Sequence, residues 1–546
     1  MQIPASSMVL LAAGGMAIIC GRFLRVPMRP VVGLIFYLAI LGVAGVMSIE
    51  AIVPVEQHGE THVRSVFIND ALAHSEQWLV LAFGVMTGIA AVDSSRKSPA
   101  ILSNYGFLLF AVAALMLVAR SNDFLELGLT FEILNLVVIA LRQVPELQST
   151  DFQFQNDLGA ARSTELGFLS GSMWVGIAIL SSMTSTTNFD ALRLVLISAY
   201  DPGAEQAAIG APSKLILLGA GLVSISLFAR MGLVPFHFGN QAGRSRSNTA
   251  LAAFTRMAQQ LAGAMALTRL MGITFIGLEQ PLTTLTLAIC LMNFVATGVL
   301  AVRGQSPGVK SIPYWVASMS LLQNAWYGVA LIVILSELQH PGTRWGAFEL
   351  QNESLALCVY LQIATLLASG GISWTLGYLT RADRESDYLE DFKGLIQFAP
   401  TASLTFMISI ACVIGVPFTA GFWARWLILL AGSSVHLKNS KIFTPHPGVR
   451  LAIFVATITS MIVAIVVIRI AREMFLESPL ARPTHIGGRG RLIAGAIASA
   501  AILLLGVAPQ IVLVPLRIIP SPRAVNPGTV PTGSGTVPMG FITPGQ

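Results

Sequence analysis

The residues that could do chemistry in this sequence are ionisable or helix-breaking groups set inside long apolar stretches. Glu132 lies in Leu129-Thr130-Phe131-Glu132-Ile133-Leu134-Asn135-Leu136, near the centre of such a stretch. A carboxylate at membrane depth is costly unless protein or water satisfies it. Desolvation favours the protonated acid and a nearby cation favours the carboxylate, so a group held between the two can load and release a proton. A static ion pair is the blander reading of the same residue. The tripeptides Val234-Pro235-Phe236 and Val416-Pro417-Phe418 interrupt two further apolar stretches. Proline lacks an amide donor and clashes with the preceding turn, so each helix should break there and leave carbonyls in need of partners. Arg230 precedes Pro235 by five residues, and Arg425 follows Pro417 by eight. Paired broken helices are the mark of a transporter built from two repeats. Packing kinks with snorkelling arginines would give the same pattern.

The elements that must position these groups follow from composition. Of the 546 residues, 54% are hydrophobic and 11% charged, and the mean hydropathy is +0.73. Such a chain has lipid as its main solvent. A bilayer core of roughly 30 Å needs about 20 apolar residues per helix. The stretches are continuously apolar rather than alternating, which excludes a β-barrel. Fourteen spans are read, near residues 6–20, 30–50, 77–94, 100–119, 124–142, 166–187, 213–236, 248–274, 278–302, 312–336, 354–378, 398–431, 448–473 and 489–513. The fold class is therefore an all-α polytopic membrane protein.

Loops after odd-numbered spans hold about 19 Lys and Arg against about 11 elsewhere, while Arg230, Arg256 and Arg425 lie in or at the edge of the bilayer. Positive loops stay inside, so both termini are expected on the non-cytoplasmic side of the cell inner (plasma) membrane, and the loops carrying Arg22, Arg96, Arg384 and Arg472 on the cytoplasmic side. Arg22 and Arg25 follow the first apolar run rather than precede it, which argues against a cleaved signal peptide. Residues 517–546, rich in Pro, Gly and Thr, read as a disordered tail.

Cys20, Cys290, Cys358 and Cys412 lie far apart without CxxC spacing, so no zinc or iron-sulfur site is expected. The string Gly487-Gly488-Arg489-Gly490-Arg491 follows no strand and is not a dinucleotide fingerprint. No basic run with interleaved aromatics points to nucleic acid.

The segment Leu233-Val234-Pro235-Phe236-His237 with Ala252-Ala253-Phe254 resembles the seventh-to-eighth helix signature of subunit N of NADH-quinone oxidoreductase, respiratory complex I, and its antiporter-like relatives. Gly415-Val416-Pro417-Phe418-Thr419-Ala420-Gly421-Phe422 resembles that family's twelfth-helix signature. Phe131-Glu132-Ile133, Ala161-Arg162 with Leu166-Gly167, and Phe392-Lys393-Gly394-Leu395 are similar to further family segments, in the family's order, over roughly residues 100–475. The resemblance implies fourteen helices with two inverted five-helix repeats and broken helices 7 and 12. It implies a three-helix segment over 1–99, repeats over 100–275 and 276–475, and a last helix within 476–516. It also implies a membrane-arm subunit that couples quinone reduction to proton translocation. The lipid bilayer and other complex I membrane subunits would be its partners. NADH, FMN, iron-sulfur clusters and quinone would be held by partner subunits, and this chain alone would catalyse nothing.

The family's proton pathway falls here on Glu132, Arg230, His237, Gln260 and Arg425, because the three lysines it uses in helices 7, 8 and 12 match Arg230, Gln260 and Arg425. Arginine keeps the charge but gives up the titration, and glutamine keeps neither. Gly239-Asn240-Gln241-Ala242 replaces the family's Trp-x-Pro-Asp. These departures leave a diverged working pump, a non-conducting scaffold paralogue, and a cation/proton antiporter or membrane-bound hydrogenase subunit of the same fold as open alternatives.

Overall fold

A backbone passing through lipid must satisfy every amide and carbonyl internally, and the helix does so within one segment. A computed structural model of the chain describes residues 6–23, 30–50, 67–68, 70–92, 101–143, 152–200, 214–236, 250–306, 311–339, 354–379, 388–433, 436–438, 441–443, 447–478 and 488–516. His237, Arg96, Arg384 and residues 517–546 lie outside the described residues. The described residues form α1 (Ser6–Phe23), α2 (Pro30–Glu50), α3 (Ala71–Ala91), α4 (Ile101–Arg120), α5 (Phe124–Gln143), α6 (Phe152–Thr184) and α7 (Phe189–Tyr200). Then come α8 (Lys214–Arg230), α9 (Ala250–Arg269), α10 (Glu279–Arg303), α11 (Ser311–Gln339) and α12 (Ser354–Leu379). The last are α13 (Pro400–Ile414), α14 (Ala420–Ser433), α15 (Pro447–Phe475), α16 (Arg489–Val507) and α17 (Gln510–Leu516). A short hairpin, His436–Lys438 with Lys441–Phe443, joins α14 to α15.

The protein is an all-α polytopic membrane protein, and each of the fourteen spans read from the sequence coincides with one helix or with a helix pair. Among the described residues, eight helices are long and apolar enough to cross a bilayer outright, and α1, α4, α13 and α14 carry shorter apolar segments. Outer helices show their lipid face as a helical stripe. On α15 Leu451, Phe454, Ile458, Met461, Ile465 and Ile468 recur every three or four residues and are exposed. The least apolar helix behaves in the opposite way: every residue of α9 except Ala252 and Arg256 is buried. Neighbouring helices shield its two glutamines from lipid, so polar side chains are tolerated there.

One helix was not foreseen. α7 falls in what reads as a loop between the sixth and seventh spans. At 12 residues it is too short to cross, and Asp190 and Arg193 interrupt its hydropathy. It forms because Asn188 caps it, with Oδ1 accepting from the amides of Asp190 (3.1 Å) and Ala191 (3.2 Å). Phe189, Leu192 and Leu196 then form one buried face, and Phe189 meets the edge of Phe124 at 4.6 Å.

The twelfth span is interrupted as expected. α13 stops at Gly415 (φ +83°), and α14 starts at Ala420, beyond Pro417 and Phe418 (φ +66°). In the seventh, α8 stops at Arg230, and a turn with Gly232 at φ +78° carries the chain through Pro235 to Phe236. Its continuation lies outside the described residues.

Candidate functional site

Arg230 ends α8 and is buried with only 4% exposure. Its guanidinium stacks over Phe131, 4.3 Å from the ring centroid. Nη1 donates to Asn135 Oδ1 (3.0 Å) and Gln259 Oε1 (3.3 Å), and Nη2 donates to Ser170 Oγ (3.2 Å). Glu132 does not touch it directly. Asn135 stands between, donating to Glu132 Oε2 (3.3 Å) and to Ser170 Oγ (3.1 Å) while its oxygen receives Arg230. Glu132 and Asn135 are three residues apart on α5, which puts them on one helix face. Trp174 Nε1 donates to the other oxygen of Glu132 (3.3 Å). Gly128 allows this approach, because a Cβ there would meet the Trp174 ring at 2.8 Å.

The adjacent glutamines of α9 divide between two neighbourhoods. Gln259 faces Arg230 and also donates to Asn135 Oδ1 (3.0 Å). Gln260, the position matched to the family's eighth-helix lysine, faces away and donates to Asn324 Oδ1 on α11. Asn324 in turn donates to the carbonyl of Met231 (2.6 Å), one of the groups freed by the α8 break, and Val234 N donates to Asn293 on α10 (3.1 Å). Gln260, Asn324, Tyr327, Gln362, Thr365 and Ser369 supply the polar lining of a cavity offering about 20 Å³ to the centres of water molecules. That is enough space for at least one water with several polar partners.

Arg425, on the second turn of α14, is buried in a different setting. Nη2 donates to the carbonyl of Val413, freed by the α13 break, and the guanidinium lies 5.2 Å from the ring centroid of Trp326. Gly415 accommodates it, since a Cβ there would stand 3.1 Å from the Arg425 Cδ and its backbone is already left-handed. Among the described residues no carboxylate lies within ion-pairing distance of Arg425.

The structure thus brings Glu132 and Arg230 together through Asn135. It puts Gln260 beside the α8 break and Arg425 at the α13 break, while His237 lies outside the described residues. Sequence reasoning missed Asn135, Ser170, Gln259 and the α11 run Gln323-Asn324-Ala325-Trp326-Tyr327. Four polar or hydrogen-bonding side chains within five residues of an apolar span were the available signal. Gln323 accepts from Ser369 (2.9 Å), and Trp326 donates to Ser460 (3.2 Å). Cys290, Cys358 and Cys412 are buried free thiols, and among the described residues no three His, Cys, Asp or Glu side chains could share a metal ion.

Residues 335–444 match the model of the family described as NADH:quinone oxidoreductase/Mrp antiporter, TM. Over 447 residues the chain is 25% identical to NADH-quinone oxidoreductase subunit N 1 of Thermodesulfovibrio yellowstonii, covering 81% of this chain and 85% of that protein. The chain is similar to subunit N over most of its length. The chain's fold is shared by solved structures, among them two membrane complexes. A chain of respiratory complex I from Thermus thermophilus superposes with a TM-score of 0.68 at 17% identity, covering 93% of this chain and 98% of its own. A chain of the Mrp complex from Dietzia sp. superposes with a TM-score of 0.72 at 14% identity, covering 95% and 97%. The resemblance read from the sequence motifs therefore extends to most of the chain and to its fold.

Proposed function

We propose that this chain is a proton-translocating membrane-arm subunit of an NADH-quinone oxidoreductase. One observation carries the reading: two polar groups meet on α9, one running from half-buried Glu132 through Asn135 and Arg230 to Gln259, the other from the adjacent Gln260 to Asn324 and the cavity. Buried polar groups that serve no fold-closing role are expensive at membrane depth and mark ion paths. Arg230 stays charged and biases its neighbours, Glu132 binds and releases the proton, and water in the cavity carries it onward. NADH, FMN, iron-sulfur clusters and quinone belong to partner subunits, and the neighbouring membrane subunits are its partners. The two repeats span 100–275 and 276–475, and both termini face the non-cytoplasmic side of the inner membrane. The Lys and Arg distribution of the loops supports that orientation.

The likeness to a chain of the Mrp complex favours a second reading, cation/proton exchange. One experiment separates them. In the complex reconstituted in vesicles, Glu132→Gln should lower proton transport per NADH oxidised while assembly is kept, with no dependence on sodium. Transport that requires sodium supports exchange, and unchanged proton transport in Glu132→Gln sinks the pumping role of this chain.

A further inference from the structure

Glu76 lies in the second turn of α3, a helix outside both repeats, and is fully buried. Neither of its carboxylate oxygens has a hydrogen-bond donor. An ionised carboxylate without donors in a dry site costs more than taking up a proton, so this geometry favours the protonated acid.

The arginine that binds the N-cap residue of α3 is already engaged. Arg269 at the end of α9 holds Asp70 through two parallel bonds of 3.0 Å and gives a third, of 3.2 Å, to the carbonyl of Ala119. Burial works against the ionised form of Asp70, yet the Arg269 charge and the hydrogen bonds from Arg269 and Ala73 hold its carboxyl below its ordinary value. One guanidinium is therefore shared among Asp70, Glu76 and Asp190, and of these it bonds only Asp70. Its Nε, however, is buried without an acceptor. If Glu76 loses its proton, that third donor is available to the new carboxylate.

α3 packs against α9 and α12, the helices that carry Thr268 and Gln362 of a polar cluster around Tyr327 of α11. Tyr327 accepts from Gln362 (2.9 Å), donates to the carbonyl of Ala264 (2.8 Å) and is hydrogen-bonded to Thr268. Gln362 Oε1 is buried with no donor. Tyr327 and Gln362 both line the cavity that also holds Gln260 and Asn324. At 1.5 Å per residue, Gln260 and Thr268 are about 12 Å apart along α9, so this cluster lies between the middle of the membrane and the end of α9 where Arg269 meets Asp70.

We propose that Glu76 is a proton-holding relay between the mid-membrane cavity and the membrane face at Asp70 and Arg269, with Tyr327 and Gln362 as its link to the cavity. Each passage moves one proton on to the face and leaves one negative charge on Glu76, which the free Nε of Arg269 stabilises until the next proton arrives through Tyr327. Under the orientation proposed above, this is the release side. The proposal rests on the proton-translocation reading and supplies that reading with a titratable group the matched lysine positions no longer provide.

The test is infrared spectroscopy of the intact complex in vesicles near neutral pH, with flux measured on the same preparation. The carbonyl stretch of a protonated carboxyl should be present, should move on exchange into D2O, and should be lost in Glu76→Gln together with a fall in protons moved per NADH oxidised. If Glu76→Gln does not assemble, Glu76→Asp replaces it, and the band should change frequency. A band untouched by both variants, or flux equal to wild type in Glu76→Gln, overturns the relay. With wild-type pumping intact and Glu132→Gln impaired, that failure is confined to Glu76. A wild-type complex that moves no protons overturns the translocation reading itself.

Discussion

Arg230 and Arg425 are each buried at a broken helix, yet their surroundings differ. Arg230 is met by three side-chain acceptors, and Asn135 links it to an acid. Arg425 is met by a backbone carbonyl and a tryptophan face. The carbonyls freed by the breaks are also treated differently: Asn324 binds that of Met231, whereas Arg425 itself binds that of Val413. An arginine linked through one side chain to a titratable group can respond to a change of charge there, whereas one held by carbonyl and ring can only supply a fixed field. On the proton-translocation reading, switching is expected at Arg230 and a fixed charge at Arg425.

The largest effect should come from Arg230→Ala, which removes the charge and strands Asn135, Ser170 and Gln259. Unsatisfied buried groups cost roughly 1 to 3 kcal/mol each, so thermal unfolding of the purified complex should shift down and flux should be lost. Arg425→Ala loses one carbonyl bond and a ring contact, so stability should fall less and flux should be reduced rather than lost. Arg425→Lys keeps the charge and restores a titratable group, and flux should be kept or raised. Equal loss in the two alanine variants would break the contrast between the halves.

Asn135→Leu tests the link itself. It should uncouple Glu132 from Arg230 and lower flux while both charges remain, and wild-type flux in this variant would show the link to be idle. Gln260→Lys returns the family's cation to the cavity side of α9, at a cost of about 2.5 to 3.5 kcal/mol on insertion scales unless water or protein compensates. Flux in an assembled complex should change, and no change there combined with wild-type flux in Arg425→Ala leaves Gln260 and Arg425 without a part in conduction. The smallest effect is expected from Gly128→Ala, where the added methyl pushes Trp174 off Glu132. Flux should fall modestly, and the fluorescence of Trp174, with the other tryptophans as background, should change.

Much of this was legible in the sequence. Continuous apolar runs required helices, because lipid offers no partner to the backbone, and prolines with no amide to donate fixed where two of those helices end. Glu132, Arg230 and Arg425 stood out because charge at membrane depth is rare. The sequence could not decide which way the neighbours of those groups face. Gln259 and Gln260 are adjacent, and one residue step rotates a helix by about 100°, so one turns to Arg230 and the other to Asn324. Counting from motifs selected Gln260, and packing of α9 against α8 and α11 gave the arginine to Gln259. Asn135 looked like one polar residue in an apolar run until tertiary structure put it between two charges. Glu76 carried no motif, and α7 was too short and too polar for a span. Their environments come from helices distant in the chain, where desolvation and hydrogen bonding are set by three-dimensional neighbours rather than by local pattern.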